Sequence, residues 1–227
     1  MKRLLHARAA TAFALVAFPL CGLVLAPVAL ARPVSYADGH MFMADYEPDR
    51  QQVSYTYSPS FRWSASIGQL RVDDLDGAAG SRLDYVRSSR LLRRWNGPAS
   101  QGNAFGWIGV GHRRFDTAMG RDSGTAWHTG FQLDWETRRV YTALTSEWHG
   151  GAGPDFRLDT ASLGWAPYKH DHDRMATWLV VKGMRTEGAI DEDVMPVGVL
   201  RFFTARWWVE IGATADGEPV ANLMLNL

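Results

Sequence analysis

The chain is poor in cysteine, and beyond its N-terminal region it has no long apolar run. Cys21 is the only cysteine among 227 residues, which excludes a disulfide framework and leaves little room for thiol chemistry or a cysteine-based zinc site. Basic and acidic residues balance at 24 each, so the chain carries no nucleic-acid footprint. Without an apolar run long enough for a membrane helix, residues after 31 could span a membrane only as a closed β-barrel.

The first 31 residues have the pattern of a secretory signal peptide. A basic start precedes an apolar run over about residues 9–30, and Ala29-Leu30-Ala31 is a small-x-small cleavage site. We therefore expect export through the inner membrane and cleavage after Ala31, which leaves residues 32–227 as one domain. The alternative is an uncleaved membrane anchor, for which the apolar run is long enough.

The rest of the chain alternates with period two instead of showing helical periodicity. Residues 127–135 are the clearest case, because Trp127 and Trp135 fall on one face of an extended strand and His128 and Asp134 on the other. An apolar face that begins and ends with Trp, opposite a polar face, is typical of a strand with lipid outside and a wet lumen inside. Eight steps of about 3.3 Å, tilted by about 40°, cover roughly 20 Å of membrane.

Twelve alternating runs of this kind are separated by clusters of Gly, Asp, Asn and Pro. They span about residues 40–46, 51–58, 61–72, 82–92, 103–113, 125–135, 139–149, 156–166, 175–185, 195–203, 206–214 and 219–227. The prediction is an all-β fold, a single antiparallel transmembrane β-barrel of about 12 strands, with 8–10 strands as the alternative. A soluble barrel or sandwich would also alternate, and the sequence alone does not say which face points inward.

Connection lengths predict how the barrel is oriented. With both termini at one end, three connections at the opposite end are long and polar, at 73–81, 114–124 and 186–194. Short turns at one end and longer loops at the other are the outer-membrane pattern of Gram-negative bacteria. We therefore expect the cell outer membrane, with periplasmic termini and with the lipid bilayer, lipopolysaccharide and the barrel-assembly machinery as partners.

If the Trp face points to lipid, the opposite face carries polar side chains into the lumen. They form either a paired network that fills a narrow barrel or a polar pore whose charges select a solute. Eight strands leave a filled interior and sixteen leave a channel, so about twelve strands are compatible with both. The predicted lumen residues are Arg62, His128, Gln132, Asp134, Glu147, Lys182 and Glu210.

Segments rich in Arg and Trp gather at the predicted periplasmic end. They are either an interfacial belt, with Trp at the headgroups and Arg on phosphates, or a docking site for a periplasmic envelope partner. The candidate residues of this site are Arg93, Arg94, Trp95, Arg138 and Arg139.

Segments 91–96, 134–139 and 164–168, together with the Pro33-Val34-Ser35-Tyr36 start, resemble an uncharacterised family of proteobacterial outer-membrane proteins. The resemblance covers most of the mature chain. It implies an envelope location and an association with metal-efflux or metal-response gene neighbourhoods, and it implies no catalytic residues.

Histidine and serine are the residue types in this chain that could bind a metal or carry catalysis. His170 and His172 are the metal candidates, since imidazole suits zinc or copper(II), although a His-x-His turn is more often solvated. A lipid-modifying enzyme needs a Ser–His pair within reach, yet Ser146 and His149 fall on opposite faces of one predicted strand. We therefore expect no catalytic residues and no cofactor.

The function that these patterns favour is a narrow pore or transport-associated envelope protein with a charged lumen. The alternative is a structural or partner-docking barrel without conductance. A lipid-modifying enzyme of the outer membrane is the third hypothesis, and nucleic acid is not an expected partner.

Overall fold

A computed structural model describes residues 33–169 and 175–227. The predicted signal peptide and the metal candidates His170 and His172 lie outside the described residues. The described chain forms twelve antiparallel strands. They are β1 (Gly39–Tyr46), β2 (Arg50–Ser60), β3 (Trp63–Leu75), β4 (Ala78–Asn96), β5 (Ser100–Thr117), β6 (Gly120–Thr137), β7 (Val140–Gly151), β8 (Phe156–Trp165), β9 (Ala176–Glu187), β10 (Met195–Phe203), β11 (Trp207–Thr214) and β12 (Pro219–Asn226).

Each strand pairs with its neighbours in sequence, and β1 also pairs with β12, so the sheet closes into a barrel. In the closing ladder Met41 lies opposite Asn226 and Tyr46 opposite Ala221. Every strand has two neighbours, so none is an edge strand along its whole length. The ends of β4 and β6 that extend beyond β3 and β7 are paired on one side. The predicted all-β barrel of about 12 strands is confirmed. No helix in the described ranges is long and apolar enough to cross a membrane.

The two ends of the barrel differ. Both ends of the described chain lie at one end, here called the termini end, with the β2–β3, β4–β5, β6–β7, β8–β9 and β10–β11 connections. The opposite end, here called the loop end, carries the other six connections.

Strands β4, β5 and β6 are much longer than the rest, at 19, 18 and 18 residues. A tilted strand needs about 9–11 residues to cross a bilayer core, so these strands exceed that length. The prediction of long loops at 73–81 and 114–124 is wrong. Strand pairing continues there to tight turns at 76–77 and 118–119. In both segments polar residues alternate with apolar residues that point inward, such as Leu75 and Phe115. The strands therefore continue through them, because polar residues alone do not end a strand.

The outer wall of the barrel is apolar over most of its height. On β6, Trp127, Leu133 and Trp135 are exposed, whereas His128 and Asp134 are buried inside. Other strands repeat the pattern, with outward side chains that include Ile67, Val86, Ile108, Leu163, Val181 and Ile211. The apolar face of the alternation therefore points outward, the reverse of a soluble barrel.

The interior contains apolar packing as well as polar groups. One buried cluster lines mainly β9–β12 and includes Trp178, Phe203 and Trp208. A second cluster fills the loop end of β3–β6 and β8, with Leu75 and Phe156 among its members. Buried polar side chains such as His128, Lys182 and Glu210 share the interior with these clusters.

Candidate functional site in the barrel interior

A buried ion cluster is built on Glu210 of β11, whose exposed fraction is 0%. Its Oε1 lies 2.7 Å from Nη2 of Arg201 on β10 and 2.8 Å from Nε of the same residue. Its Oε2 accepts hydrogen bonds from Nζ of Lys182 on β9 and, at 2.8 Å, from Nδ2 of Asn222 on β12. One carboxylate thus faces two cations across four neighbouring strands. This arrangement satisfies the rule that charges removed from water must be paired.

Two predicted lumen residues, Lys182 and Glu210, are therefore in direct contact, but Arg201 was missing from the prediction. Arg201 follows Val197 and Val199 in the inward-facing row of β10. The alternation of that strand was the signal that could have placed it inside.

A second polar cluster is centred on Glu147 of β7. Its Oε2 accepts a hydrogen bond from Nε1 of Trp107 on β5 at 2.5 Å and lies 3.4 Å from Nη1 of Arg87 on β4. Its Oε1 lies 2.8 Å from Nε2 of His149. The side chains of Arg87 and Glu147 are 14% and 12% exposed, so this cluster borders on internal space. Arg87 and Trp107 were not predicted, because contacts that skip strands depend on how the barrel curves.

His128 is buried next to this cluster, with an exposed fraction of 1%. Its ring stacks on that of His149, with centroids 5.4 Å apart, and meets the Tyr85 ring edge-on at 4.8 Å. Space for the ring comes from Gly109, where a Cβ would lie 2.2 Å from Cε1 of His128. Within the described residues neither nitrogen of His128 has a hydrogen-bond partner, and no group of three or more His, Cys, Asp or Glu could hold a metal ion.

Gln132 and Asp134 meet at the termini end of the lumen. Oδ1 of Asp134 accepts a hydrogen bond from Nδ2 of Asn103 at 2.6 Å, and Oδ2 accepts one from Nε2 of Gln132 at 3.2 Å. Nε of Arg94 donates to Oδ1 of Asn103 at 2.8 Å. Arg94, a candidate for partner docking, is thus tied to a buried lumen residue.

Arg62 is not in the lumen. It lies exposed in the turn between β2 and β3, where its guanidinium is 5.3 Å from the ring centroid of Phe61. Its position at the termini end groups it with the rim residues instead of the interior charges. The predicted strand 61–72 continues the alternation through this turn, which places Arg62 on the inward face.

The rim of the termini end combines Arg and Trp side chains. The Arg93 guanidinium lies 5.2 Å from the Trp95 ring centroid on the outer side of the β4–β5 hairpin. Arg138 and Arg139 are exposed in the turn between β6 and β7, and the guanidinium of Arg139 lies 5.6 Å from the Trp165 ring centroid. Arrangements of this kind suit the boundary between lipid and water.

The β9–β10 connection crosses the loop end. Ala189 forms an isolated antiparallel bridge with Leu75, next to the β3–β4 turn. The N–H of Asp76 donates to the carbonyl of Gly188 at 2.8 Å, and the N–H of Ile190 donates to the carbonyl of Asp74 at 2.9 Å. Since β3 and β9 are half-way around the barrel from each other, this connection crosses the opening. We call residues 188–193 the cap.

The cap is held in shape by Glu192. Its carboxylate accepts hydrogen bonds from the N–H of Gly188 at 2.8 Å and from Nη2 of Arg185 at 3.0 Å. The hydrogen bond from the Gly188 N–H, followed by that from Arg185, lowers the pKa of the Glu192 carboxyl.

Direct contacts also cross the interior below the cap. Nη2 of Arg50 on β2 donates to Oγ1 of Thr160 on β8 at 3.1 Å, and these strands face each other across the barrel. Arg50 also pairs with Glu47, and Oγ1 of Thr186 donates to Oδ2 of Asp49 at 2.8 Å. The loop half of the lumen is therefore spanned by side chains.

The segment before β1 narrows the termini end. Val34 is buried against Leu91 and Phe105. Oγ of Ser64 donates to the carbonyl of Pro33 at 2.7 Å, which holds the segment against β3. The N–H of Ser35 donates to Oγ of Ser58 at 2.9 Å.

No protein-family model matches this chain, and comparisons with curated proteins and with solved structures gave no match. The resemblance to a proteobacterial outer-membrane family therefore stays a prediction from short sequence motifs.

Proposed function

We propose that this protein is an integral barrel of the bacterial outer membrane with a closed lumen, and that it serves the envelope as a structural or partner-docking element. The observation that carries the proposal is the cap. Hydrogen bonds from Asp76 to Gly188 and from Ile190 to Asp74 tie opposite walls together over the opening. An open diffusion channel would leave that end clear.

The outer wall supports the membrane location. Monomeric soluble proteins rarely expose contiguous apolar patches of more than a few hundred Å², whereas here nearly every strand presents apolar side chains outward. Trp127 and Trp135 bracket the apolar part of β6, as expected for the two aromatic girdles of an outer-membrane barrel. The predicted signal peptide is consistent with this location.

The lumen supports the closed state. Its charges are grouped into networks around Glu147 and Glu210, each paired with cations from other strands. Removing one partner from such a network leaves an uncompensated buried charge, which typically costs about 3–5 kcal/mol. Buried charges that are paired in this way stabilise a filled barrel. They are not free to bind a solute that passes through the lumen.

The β4–β5 hairpin supports the docking role. Residues 92–99 are all exposed, and Leu92 and Trp95 present apolar surface beside Arg93. Arg and Trp are enriched among the residues that dominate binding energy in protein interfaces. The hairpin lies at the end that is expected to face the periplasm.

Planar-bilayer recording tests the closed lumen. Purified refolded protein is expected to give no steady ohmic conductance under conditions in which a general porin conducts. Steady conductance of the wild-type protein would refute the closed-lumen proposal.

Photo-crosslinking in cells tests the docking role. A photoreactive residue in place of Trp95 should give a discrete protein adduct, whereas the same residue in place of Met119, 98% exposed at the loop end, should give none. Adducts with lipid alone at position 95 would favour the interfacial belt over a docking site.

A gated pore is the second candidate. The interior wall of β2–β4 is lined by small hydroxyl side chains, and the Arg87–Glu147 cluster beside it is not fully buried. These hydroxyls are Ser54, Thr56, Ser58, Ser64, Ser66 and Ser89. A narrow polar path could open along this wall if the cap moved, so conductance that appears only after the cap is disrupted would favour this function.

A further inference from the structure

The outer wall of β2–β5 contains a groove. Its apolar part is lined by Tyr55, Ile67, Val86, Ile108 and Val110. Ala65 also lines it, and the small outward side chain of this residue leaves room between its larger neighbours. All of these residues belong to the outer wall that we propose faces the lipid of the membrane.

The groove continues toward the loop end, where its lining becomes charged. An intermediate section shares Ile67 and Val86 with the apolar part and reaches Gln69 and Asp84. The last section is lined by Arg71, Asp73, Arg82, Arg114, Asp116 and Arg121. Ile67 and Arg71 are four steps apart on β3, roughly 13 Å at about 3.3 Å per residue. One continuous surface therefore runs from apolar to cationic.

Arginine outnumbers carboxylate in the charged section. Arg114 pairs with Asp84, Arg71 with Asp73 and Arg121 with Asp116. These pairs are exposed, and exposed ion pairs are weak enough for a stronger ligand to displace.

Arg82 provides the excess positive charge of this section. Its Nη2 donates to the neutral amide oxygen of Gln69 at 2.5 Å. Arg82 forms no direct ion pair within the described residues, and the nearby Asp84 carboxylate is shared with Arg114 and with the amide of Gln69. The four guanidinium groups of the charged section therefore face three carboxylates.

We propose that this groove binds one phosphorylated glycolipid of the outer leaflet, lipid A. An acyl chain lies along the apolar section, and a phosphate binds the guanidinium groups of Arg82 and Arg114. Guanidinium suits a phosphate because its planar donors bind two oxygens at once. The proposal rests on the proposed membrane location, which turns the loop end toward the outer leaflet.

The opposite wall of the barrel shows that an excess of positive charge is not a general property of the loop end. At a similar height on β8, β9 and the cap, Arg157 and Arg185 face three carboxylates, Asp159, Glu187 and Glu192. That cluster has an excess of negative charge and would repel a phosphate. It supplies a matched control for substitutions in the groove.

Native mass spectrometry of the purified barrel in detergent tests the headgroup contact. Bis-phosphorylated lipid A is expected to bind more tightly than lipid A without phosphates and more tightly than phosphatidylethanolamine. An R82Q/R114Q double variant should lose about tenfold or more of the affinity, because hydrogen bonds to charged groups are removed. The control R157Q, which leaves the contact between Arg185 and Glu192 of the cap in place, should bind like wild type.

A second pair of variants tests the acyl-chain section. Ala65→Trp would fill the groove, whereas Ala161→Trp adds the same bulk to the outer face of β8. Both positions are exposed on the outer wall, and the heat-dependent gel shift of folded barrels checks each variant. Only Ala65→Trp should weaken lipid A binding.

The proposal is overturned if removing the phosphates leaves binding unchanged, or if R82Q/R114Q binds lipid A like wild type. Failure of the proposed function would show in other measurements, namely recovery of the wild-type protein outside the membrane fraction or steady conductance in bilayers. The two failures are therefore distinguishable.

Discussion

Leu75 and Ala189 pair across the loop end, although β3 and β9 stand on opposite sides of the barrel. Backbone hydrogen bonds on both sides of this bridge join the β3–β4 turn to the cap. Backbone pairing of this kind ties the two segments together across the opening of the barrel. The proposed closed state of the lumen rests on this contact.

Replacing Ile190 with Pro is expected to open the cap. Proline has no N–H, so the hydrogen bond to the carbonyl of Asp74 is lost. Hydrogen exchange at the Asp76 amide should become faster, and brief conductance events should appear in planar bilayers if the gated-pore function is correct. Ile190→Ala keeps the N–H and is the control, so equal exchange in both variants would contradict the assigned role of this hydrogen bond.

Replacing Glu210 with Ala is expected to destabilise the barrel strongly. The change leaves Arg201 and Lys182 buried without their shared carboxylate, which typically costs about 3–5 kcal/mol. Urea unfolding in lipid vesicles measures the loss. Glu218→Ala, at an exposed position in the β11–β12 turn, should change stability by less than about 0.5 kcal/mol. Similar losses in the two variants would show that the cluster does not hold β9–β11 together.

Adding one methyl group at Gly109 is expected to displace His128. A Cβ there would lie 2.2 Å from Cε1 and 2.4 Å from Nε2 of that ring, and overpacking of this kind typically costs about 1–3 kcal/mol. Gly198→Ala is the matched control, because a Cβ at that strand position meets nothing within 4 Å. A Gly109→Ala variant as stable as the control would mean that the His128 ring moves without cost.

The contacts of Glu192 predict a pH dependence of the cap. The folded-state pKa of this carboxyl is lowered, so its stabilising contribution is fully present above the ordinary value of about 4.3 and is lost as the pH falls through the folded pKa. The amide resonance of Gly188, followed by NMR, should titrate below that ordinary value. Glu192→Gln should abolish the titration, and an unchanged titration in this variant would assign it to another carboxyl.

Most of the fold could be predicted because alternation is local. On β6 the sequence was sufficient to separate the Trp127 face from the His128 face, since successive side chains of a strand point to opposite sides. The same argument failed at Arg62, where the chain turns and the alternation stops. It also failed at 73–81 and 114–124, since charged residues on the outer wall of a long hairpin resemble a loop.

The candidate site was predicted only in part. Glu147, Lys182 and Glu210 were placed inside by alternation, but their partners Arg87, Trp107 and Arg201 were not. A partner is set by strand register, by closure and by the reach of a long side chain over neighbouring strands, and residue spacing along one strand carries none of this information.

By itself, the sequence determined that the chain forms about twelve antiparallel strands with one apolar face each, because a period of two is a property of the extended backbone. The tertiary structure decided that the apolar faces point outward and that the lumen is capped. Closing β1 onto β12 brings β2 opposite β8 and β3 opposite β9, and only then can Arg50 meet Thr160 and Leu75 meet Ala189. These contacts join residues more than one hundred positions apart, so they exist only once the barrel has closed.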